Sequence, residues 1–202
     1  MLYQRSHAMG DTAEWDARYR RGEHASTEPD PLLLRALAEA SLARGASALD
    51  LPCGAGRHAI YLAERGWSVL AIDGSSVALE LLDERARAAS VQVSTKLLDL
   101  EQDAAPLASV AGPFDLVCVF FYLNRALMPA VLERVRPGGH LVWTVHAAAP
   151  GVAPGPKVAG PGELRALVET AGWTVLYEGV RTAGSGRAVA ELVARKASST
   201  AT

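Results

Sequence analysis

Two apolar runs, each stopped by an aspartate, bracket a glycine loop in the stretch Ala48–Asp73. This arrangement constrains the chain more than any other feature. Ala48-Leu49 ends at Asp50, and Pro52-Cys53-Gly54-Ala55-Gly56 follows. A helix is predicted through His58–Ala63, stopping near Gly66, and Val69-Leu70-Ala71-Ile72 then ends at Asp73. Strand, loop, helix and strand in that order form a nucleotide-binding βαβ unit. Its glycines permit close backbone approach, and an acid roughly 20 residues on takes ribose hydroxyls.

The remainder repeats the alternation. A short helix is expected over Glu14–Arg20, with Trp15 and Tyr19 on one face. It serves either as a cap on the sheet or as a lid carrying Trp15 and Arg18 over a ligand. Pro31 opens a helix read as Leu32–Ala43, and Gly45 stops it. Gly74-Ser75-Ser76 caps a helix over Val77–Ala89, and Val91–Leu97 reads as a strand leading to Asp99 and Leu100. Leu116–Phe120 is continuously apolar, as a strand buried on both faces must be. A helix over Met128–Val135 then meets the turn Arg136-Pro137-Gly138-Gly139, and Leu141–Val145 is the fifth strand. Pro161–Ala171 is a helix, and Trp173–Glu178 and Ala188–Ala194 form a final hairpin.

This pattern predicts an α/β, Rossmann-like sheet of seven mostly parallel strands with helices on both faces. Ligands bind such sheets at the carboxyl ends of the strands. Asp50, Asp73, Asp99, Tyr122 and His146 all fall at those ends.

Length and charge narrow the classes. A chain of 202 residues suits one domain, expected over 13–196. Residues 1–12 read as disordered or tag-like, and 197–202 as a tail. The net charge of -2 lacks the basic patch that nucleic acid requires. No membrane span and no secretory signal is legible, so a cytoplasmic monomer or homodimer is expected. Cys53 and Cys118 form no metal-ligand spacing, and no metal is expected.

Gly54-Ala55-Gly56-Arg57-His58-Ala59 formally matches the dinucleotide fingerprint. Two features oppose a pyrophosphate. Pro52 has no N–H to donate, and Asp50 adds negative charge. A cationic nucleoside fits better. S-adenosyl-L-methionine carries a sulfonium and an ammonium, while its carboxylate suits loop amides and a helix N-terminus. Asp73 then takes the ribose hydroxyls, and Asp99 accepts from the adenine amino group. A nicotinamide-dependent oxidoreductase and a catalytically silent nucleoside-binding protein are the alternatives.

These residues resemble the glycine-rich region of class I S-adenosylmethionine-dependent methyltransferases. LLDLEQD, FDLVCVFFYLNR, RPGG and PGELRALVETAGW occupy the family's later motif positions in order, and AEWDARYRRGEHASTEPDPLL resembles the N-terminal segment of the tellurite-resistance and thiopurine methyltransferase-like branch. Pro52, where the general pattern has glycine, is a departure. The resemblance implies strand order 3-2-1-4-5-7-6 with the last strand antiparallel. It puts Asp50, Gly54 and Gly56 around the methionine moiety, with Arg57 fixing the loop or touching the carboxylate. Asp73, with Gly74 and Ser75 beside it, falls on the ribose, and Asp99 with Leu100 on the adenine. The product would be S-adenosyl-L-homocysteine.

A methyl acceptor then lies beyond the sulfur. Phe121 and Tyr122 are placed to wall the methyl group, Arg125 to hold an anionic acceptor, and His146 to act as a base or acceptor contact. Trp15 and Arg18 close the site from above. Phe120-Phe121-Tyr122-Leu123 stands where amino-methylating enzymes carry an Asn/Asp-Pro-Pro-Tyr type of tetrapeptide. A small acceptor is therefore expected: a thiol, a chalcogen oxyanion or a small metabolite.

Overall fold

Successive residues of each strand feed two different apolar layers, as the period-two geometry of an extended chain requires. In the fourth strand Val117 and Val119 pack with one cluster, while Leu116, Cys118 and Phe120 pack with the other. The sheet is thus covered on both sides.

The computed structural model describes residues 10–24, 26–39, 45–101, 105–149 and 151–198. Of residues 1–12, expected to be disordered or tag-like, 1–9 lie outside that description while 10–12 open a helix; the expected end of the second helix at 40–43 and residues 199–202 also lie outside it. The strands are β1 (Ser47–Asp50), β2 (Ser68–Asp73), β3 (Ser94–Leu97), β4 (Phe114–Phe120), β5 (Val135–His146), β6 (Thr174–Thr182) and β7 (Ala188–Arg195). The helices are α1 (Gly10–Arg20), α2 (Pro31–Glu39), α3 (Arg57–Ala63), α4 (Ser76–Ala88), α5 (Ala105–Ala108), α6 (Met128–Glu133) and α7 (Glu163–Thr170).

The sheet order is β3-β2-β1-β4-β5-β7-β6, as expected. β7 runs antiparallel to both β5 and β6, and the remaining pairs are parallel. The first cluster packs Met128 and Val131 of α6 and Leu164 and Val168 of α7 against β4, β5 and β7. The second packs Leu32 and Leu33 of α2, Leu62 of α3 and Leu82 of α4 on the opposite face. Trp143, fully buried in β5, anchors the first layer.

Several element boundaries differ from the sequence reading. Arg136-Pro137-Gly138-Gly139 is not a turn between elements. It lies inside β5, with a register shift against β4 between Phe114 and Leu116 and with Gly138 at φ 75°. A Cβ on Gly139 would stand 3.0 Å from three carbonyl oxygens, so only glycine lets this part of the strand approach β4. α6 consequently ends at Glu133. β6 extends to Thr182, beyond the predicted Glu178, because its pairing with β7 continues to Ala188. α5 was not legible, being one turn long.

Candidate functional site

Where β1, β2, β4 and β5 end, a cleft of about 900 Å³ opens between α1, the loop after β1 and the β6–β7 hairpin. Its floor is the glycine loop. Gly54 takes φ +54°, and a Cβ there would lie 2.6 Å from Tyr19 Oη. Gly56 takes φ +82° and packs against Leu82 of α4, where a Cβ would collide with the Leu82 side chain. The first glycine therefore shapes the cleft, and the second fixes helix packing; Gly56 itself does not line the cleft.

Asp73 holds the loop. Its Oδ2 accepts the Gly54 amide at 2.7 Å, and its Oδ1 accepts the Ser75 amide at 2.9 Å. Burial pushes its carboxyl upward, and the Ser75, Gly54 and Gly74 amides pull it back. Gly74 and Ser75 line the cleft beside it. Ser75 caps α4 by accepting the Ala78 amide at 3.1 Å. Asp99 also lines the cleft, and its Oδ1 accepts the Glu101 amide at 2.9 Å. Leu100 lines the wall, while its carbonyl accepts Tyr122 Oη at 2.6 Å and Asn124 Nδ2 at 3.1 Å.

The structure does not bring every predicted residue to the cleft. Asp50 lies beneath the loop, fully buried, and neither of its oxygens has a hydrogen-bond partner of ordinary geometry. Desolvation raises it to about 8, against the opposing influence of Arg57 and a weak approach by the Ala59 amide. Arg125 is also off the cleft. Its guanidinium donates to both oxygens of Glu163, at 2.6 and 2.9 Å, and to the carbonyls of Gly155, Pro156 and Val158. These partners use up its donors in clasping the loop after β5 onto α7, so they leave none for an acceptor. Tyr122 lines the wall, but its hydroxyl is engaged by Leu100, and Trp143 Nε1 donates to its carbonyl at 3.0 Å.

Phe121 sits at φ +56°, a strained setting for a bulky residue. Its amide donates to the Thr144 carbonyl at 2.8 Å and the Thr144 hydroxyl oxygen at 3.1 Å, which holds the strain. The ring reaches the cleft and meets His146 at 5.6 Å between centroids. Burial, then the nearby Arg187 charge, lowers His146, so the imidazole is neutral at pH 7. Arg57 lines the cleft while leaning towards Asp30 at 3.8 Å.

Sequence reasoning placed Trp15 and Arg18 here, and both line the cleft, with the Arg18 guanidinium 4.9 Å from the Trp15 ring centre. It missed what fastens them. Asp16 Oδ1 accepts the Ser75 hydroxyl at 2.5 Å, and Tyr19 Oη presses on Gly54. It also missed His24, Lys157 and Arg187 as lining residues. The Gly184-Ser185-Gly186 turn beside Arg187 was the available signal, because a hairpin at a sheet's carboxyl end overhangs the site. Among the described residues, no group of three or more His, Cys, Asp or Glu is placed to hold a metal ion, and no helix is long and apolar enough to cross a membrane.

The carboxylates at the ends of β2 and β3, the glycine loop and the aromatic walls suit a nucleoside bearing an amino-acid end. Residues 48–139 match the family described as methyltransferase domain. TehB of Haemophilus influenzae, named as an S-adenosyl-L-methionine-dependent methyltransferase, is 29% identical over 91 residues, 44% of this chain and 30% of TehB. YqeM of Bacillus subtilis, named as a methyltransferase, is 32% identical over 118 residues, 54% of this chain and 46% of YqeM. The matches thus span less than half the length of either relative. The crystal structure of Haemophilus influenzae TehB has a TM-score of 0.66 at 20% identity, covering 90% of this chain and 67% of that one. Magnesium protoporphyrin IX methyltransferase from Synechocystis, solved with bound S-adenosylhomocysteine, has a TM-score of 0.66 at 15% identity, covering 98% and 90%. At such identities the solved structures establish the shared fold.

Over residues 48–139 and in its sheet order the chain is similar to S-adenosylmethionine-dependent methyltransferases. TehB is among the proteins it resembles both in sequence and in fold.

Proposed function

We propose that the protein transfers a methyl group from S-adenosyl-L-methionine to a small anionic acceptor, with residues 13–196 acting as one catalytic unit. The cofactor, when bound, supplies a methyl group already activated on a sulfonium. What remains for the chain is alignment, worth up to ~7–11 kcal/mol in well-positioned reactions. Asp73 is set to accept from ribose hydroxyls and Asp99 from the adenine amino group. Gly54 leaves room for the amino-acid end, and Phe121 presents an aromatic wall that attracts a sulfonium.

One observation carries the acceptor's charge. Arg18 pairs with Glu14, Arg57 leans on Asp30, Lys157 pairs with Glu101, and Arg85 donates to the Ala55 carbonyl. Arg187 lines the same cleft beside His146 and, among the described residues, has no carboxylate partner. An acceptor with a negative charge, such as a thiolate, an oxyanion or a small carboxylate, would complete it. Neutral His146 could take a proton where the acceptor carries one.

The test is product formation. Labelled S-adenosylmethionine is supplied with panels of thiols, selenium and tellurium oxyanions and small aromatic acids, and methylated product is detected by mass spectrometry. The expected result is turnover of an anionic acceptor, with KM raised at least tenfold in Arg187→Ala and affinity for S-adenosylhomocysteine unchanged. Product from neutral acceptors alone would overturn the charge assignment. Cofactor binding without product from any acceptor would overturn the transferase reading.

A further inference from the structure

Beneath the glycine loop the fold buries a carboxyl group that has no hydrogen-bond partner of ordinary geometry and whose charge the Arg57 guanidinium offsets only in part. Asp50 is 0% exposed, and both its oxygens lack partners. Each element around it contributes a group that leaves it so. From α3, His58 Nδ1 lies 3.9 Å from Asp50 Oδ1, too far for a hydrogen bond. That imidazole is stacked on Phe120 at 3.8 Å and accepts the Asp30 amide at Nε2, and burial holds it neutral. Arg57, also on α3, turns towards Asp30, which Arg181 of β6 already engages at 2.7 Å. Asp73 at the end of β2 adds repulsion to any charge on Asp50. Cys118 of β4 and Cys53 of the loop are buried thiols held well above their ordinary range, so they carry no charge either.

A buried carboxyl in such surroundings keeps its proton until a further positive charge arrives. The loop that begins at Asp50 runs directly into Pro52, Cys53 and Gly54, which floor the cleft. Charges separated by buried protein couple more strongly than charges in water, so a cation bound on that floor would favour the ionised form of Asp50. We infer that Asp50 is a proton-releasing counter-charge for the cofactor site, protonated in the free enzyme and ionised when a ligand bearing an ammonium at its amino-acid end occupies the cleft. The carboxyl O–H bond breaks, the proton passes to solvent, and the carboxylate remains to balance the ammonium. Asp50 touches no reacting atom, so it is a positioning residue acting through the field it creates. The inference rests on reading the cleft as the S-adenosylmethionine site.

Calorimetry in buffers of different ionisation enthalpy tests it, with two probes. S-adenosylhomocysteine carries the amino-acid end, and 5′-methylthioadenosine has the nucleoside and sulfur without it. The wild-type protein should release close to one proton on binding S-adenosylhomocysteine at pH 7. Its Kd should fall from pH 6 to pH 8, by at most about tenfold per pH unit, the ceiling for one linked proton. Methylthioadenosine should bind without release. Asp50→Asn should bind S-adenosylhomocysteine with only the pH dependence of the ligand's own amino group. Independently of any variant, infrared difference spectra of the wild type should lose a protonated-carboxyl band when S-adenosylhomocysteine is added. Tight binding of S-adenosylhomocysteine without proton release, or release undiminished in Asp50→Asn, overturns the inference while leaving the cofactor reading intact. Failure of both probes to bind overturns both.

Discussion

The Gly54 amide donates to Asp73 Oδ2 at 2.7 Å, across 19 residues of sequence, so the same carboxylate that ends β2 also shapes the loop after β1. Its other oxygen holds the Ser75 amide at the start of α4. Asp73 therefore organises the cleft floor before any ligand is present. Replacing it with alanine strands two amides in a site that is 7% exposed at this residue. Each stranded group costs roughly 1–3 kcal/mol. Asp73→Ala should weaken S-adenosylhomocysteine binding at least a hundredfold and lower Tm, as read by calorimetry and thermal unfolding.

The two loop glycines should fail differently. Gly54→Ala drives a methyl group into Tyr19 Oη and forces alanine into left-handed backbone, the latter costing roughly 1–2 kcal/mol. Binding of S-adenosylhomocysteine should drop more than tenfold. Adding Tyr19→Phe removes the clashing oxygen, leaving the next ring atom at an ordinary 3.6 Å, and should restore part of the loss. Gly56→Ala instead strikes Leu82 in the packed face of α4. It should cost about 1–3 kcal/mol of stability, as overpacking does, and Leu82→Ala rather than Tyr19→Phe should relieve it.

One carboxylate fastens helix α1 to the start of α4. Asp16 Oδ1 accepts the Ser75 hydroxyl at 2.5 Å and the Val77 amide at 3.4 Å, adding negative charge at the N-terminus of α4. Asp16→Ala should reduce stability by about 0.5–2 kcal/mol. It should also raise amide hydrogen exchange in α1 well above that in α4, because α1 loses its fastening while α4 keeps its Ser75 cap. Equal exchange rates would contradict this fastening.

Asp50 makes stability fall as pH rises. Its carboxyl stands at about 8 in the folded chain, above the ordinary value near ~4 that it regains on unfolding. Between those values the folded state binds more protons than the unfolded state. The group therefore lowers stability progressively from about pH 4 to pH 8. Asp50→Asn removes that dependence. Its gain over wild type should grow across this range to on the order of a few kcal/mol at pH 8, measured by urea unfolding at several pH values. A constant difference would show that the carboxyl does not titrate in this window.

The parts of the site legible in the sequence are those where local pattern and position coincide. Asp73 and Asp99 end apolar runs, and a strand end in a parallel sheet already says where a side chain points. The sheet order is implied by the resemblance alone, while the residues themselves mark Leu116–Phe120 of β4 as a strand buried on both faces. The rest depends on partners far apart in sequence. Arg125 reads as a loop cation until Glu163, 38 residues away, takes it. Asp16 and Ser75, 59 residues apart, give no local sign of meeting. Arg136-Pro137-Gly138-Gly139 has turn composition, yet β4 recruits it into β5 through a register shift. Arg187 lies on a polar hairpin whose composition alone does not distinguish a cleft wall from a solvated turn.

The cleft is proposed to seat S-adenosylmethionine rather than a dinucleotide. Calorimetric titration of the purified protein with S-adenosylhomocysteine and, separately, with NAD tests it most directly. On that reading, one saturable site for S-adenosylhomocysteine, abolished by Asp73→Ala, and no measurable heat from NAD are expected. Tight NAD binding with no response to S-adenosylhomocysteine would contradict it.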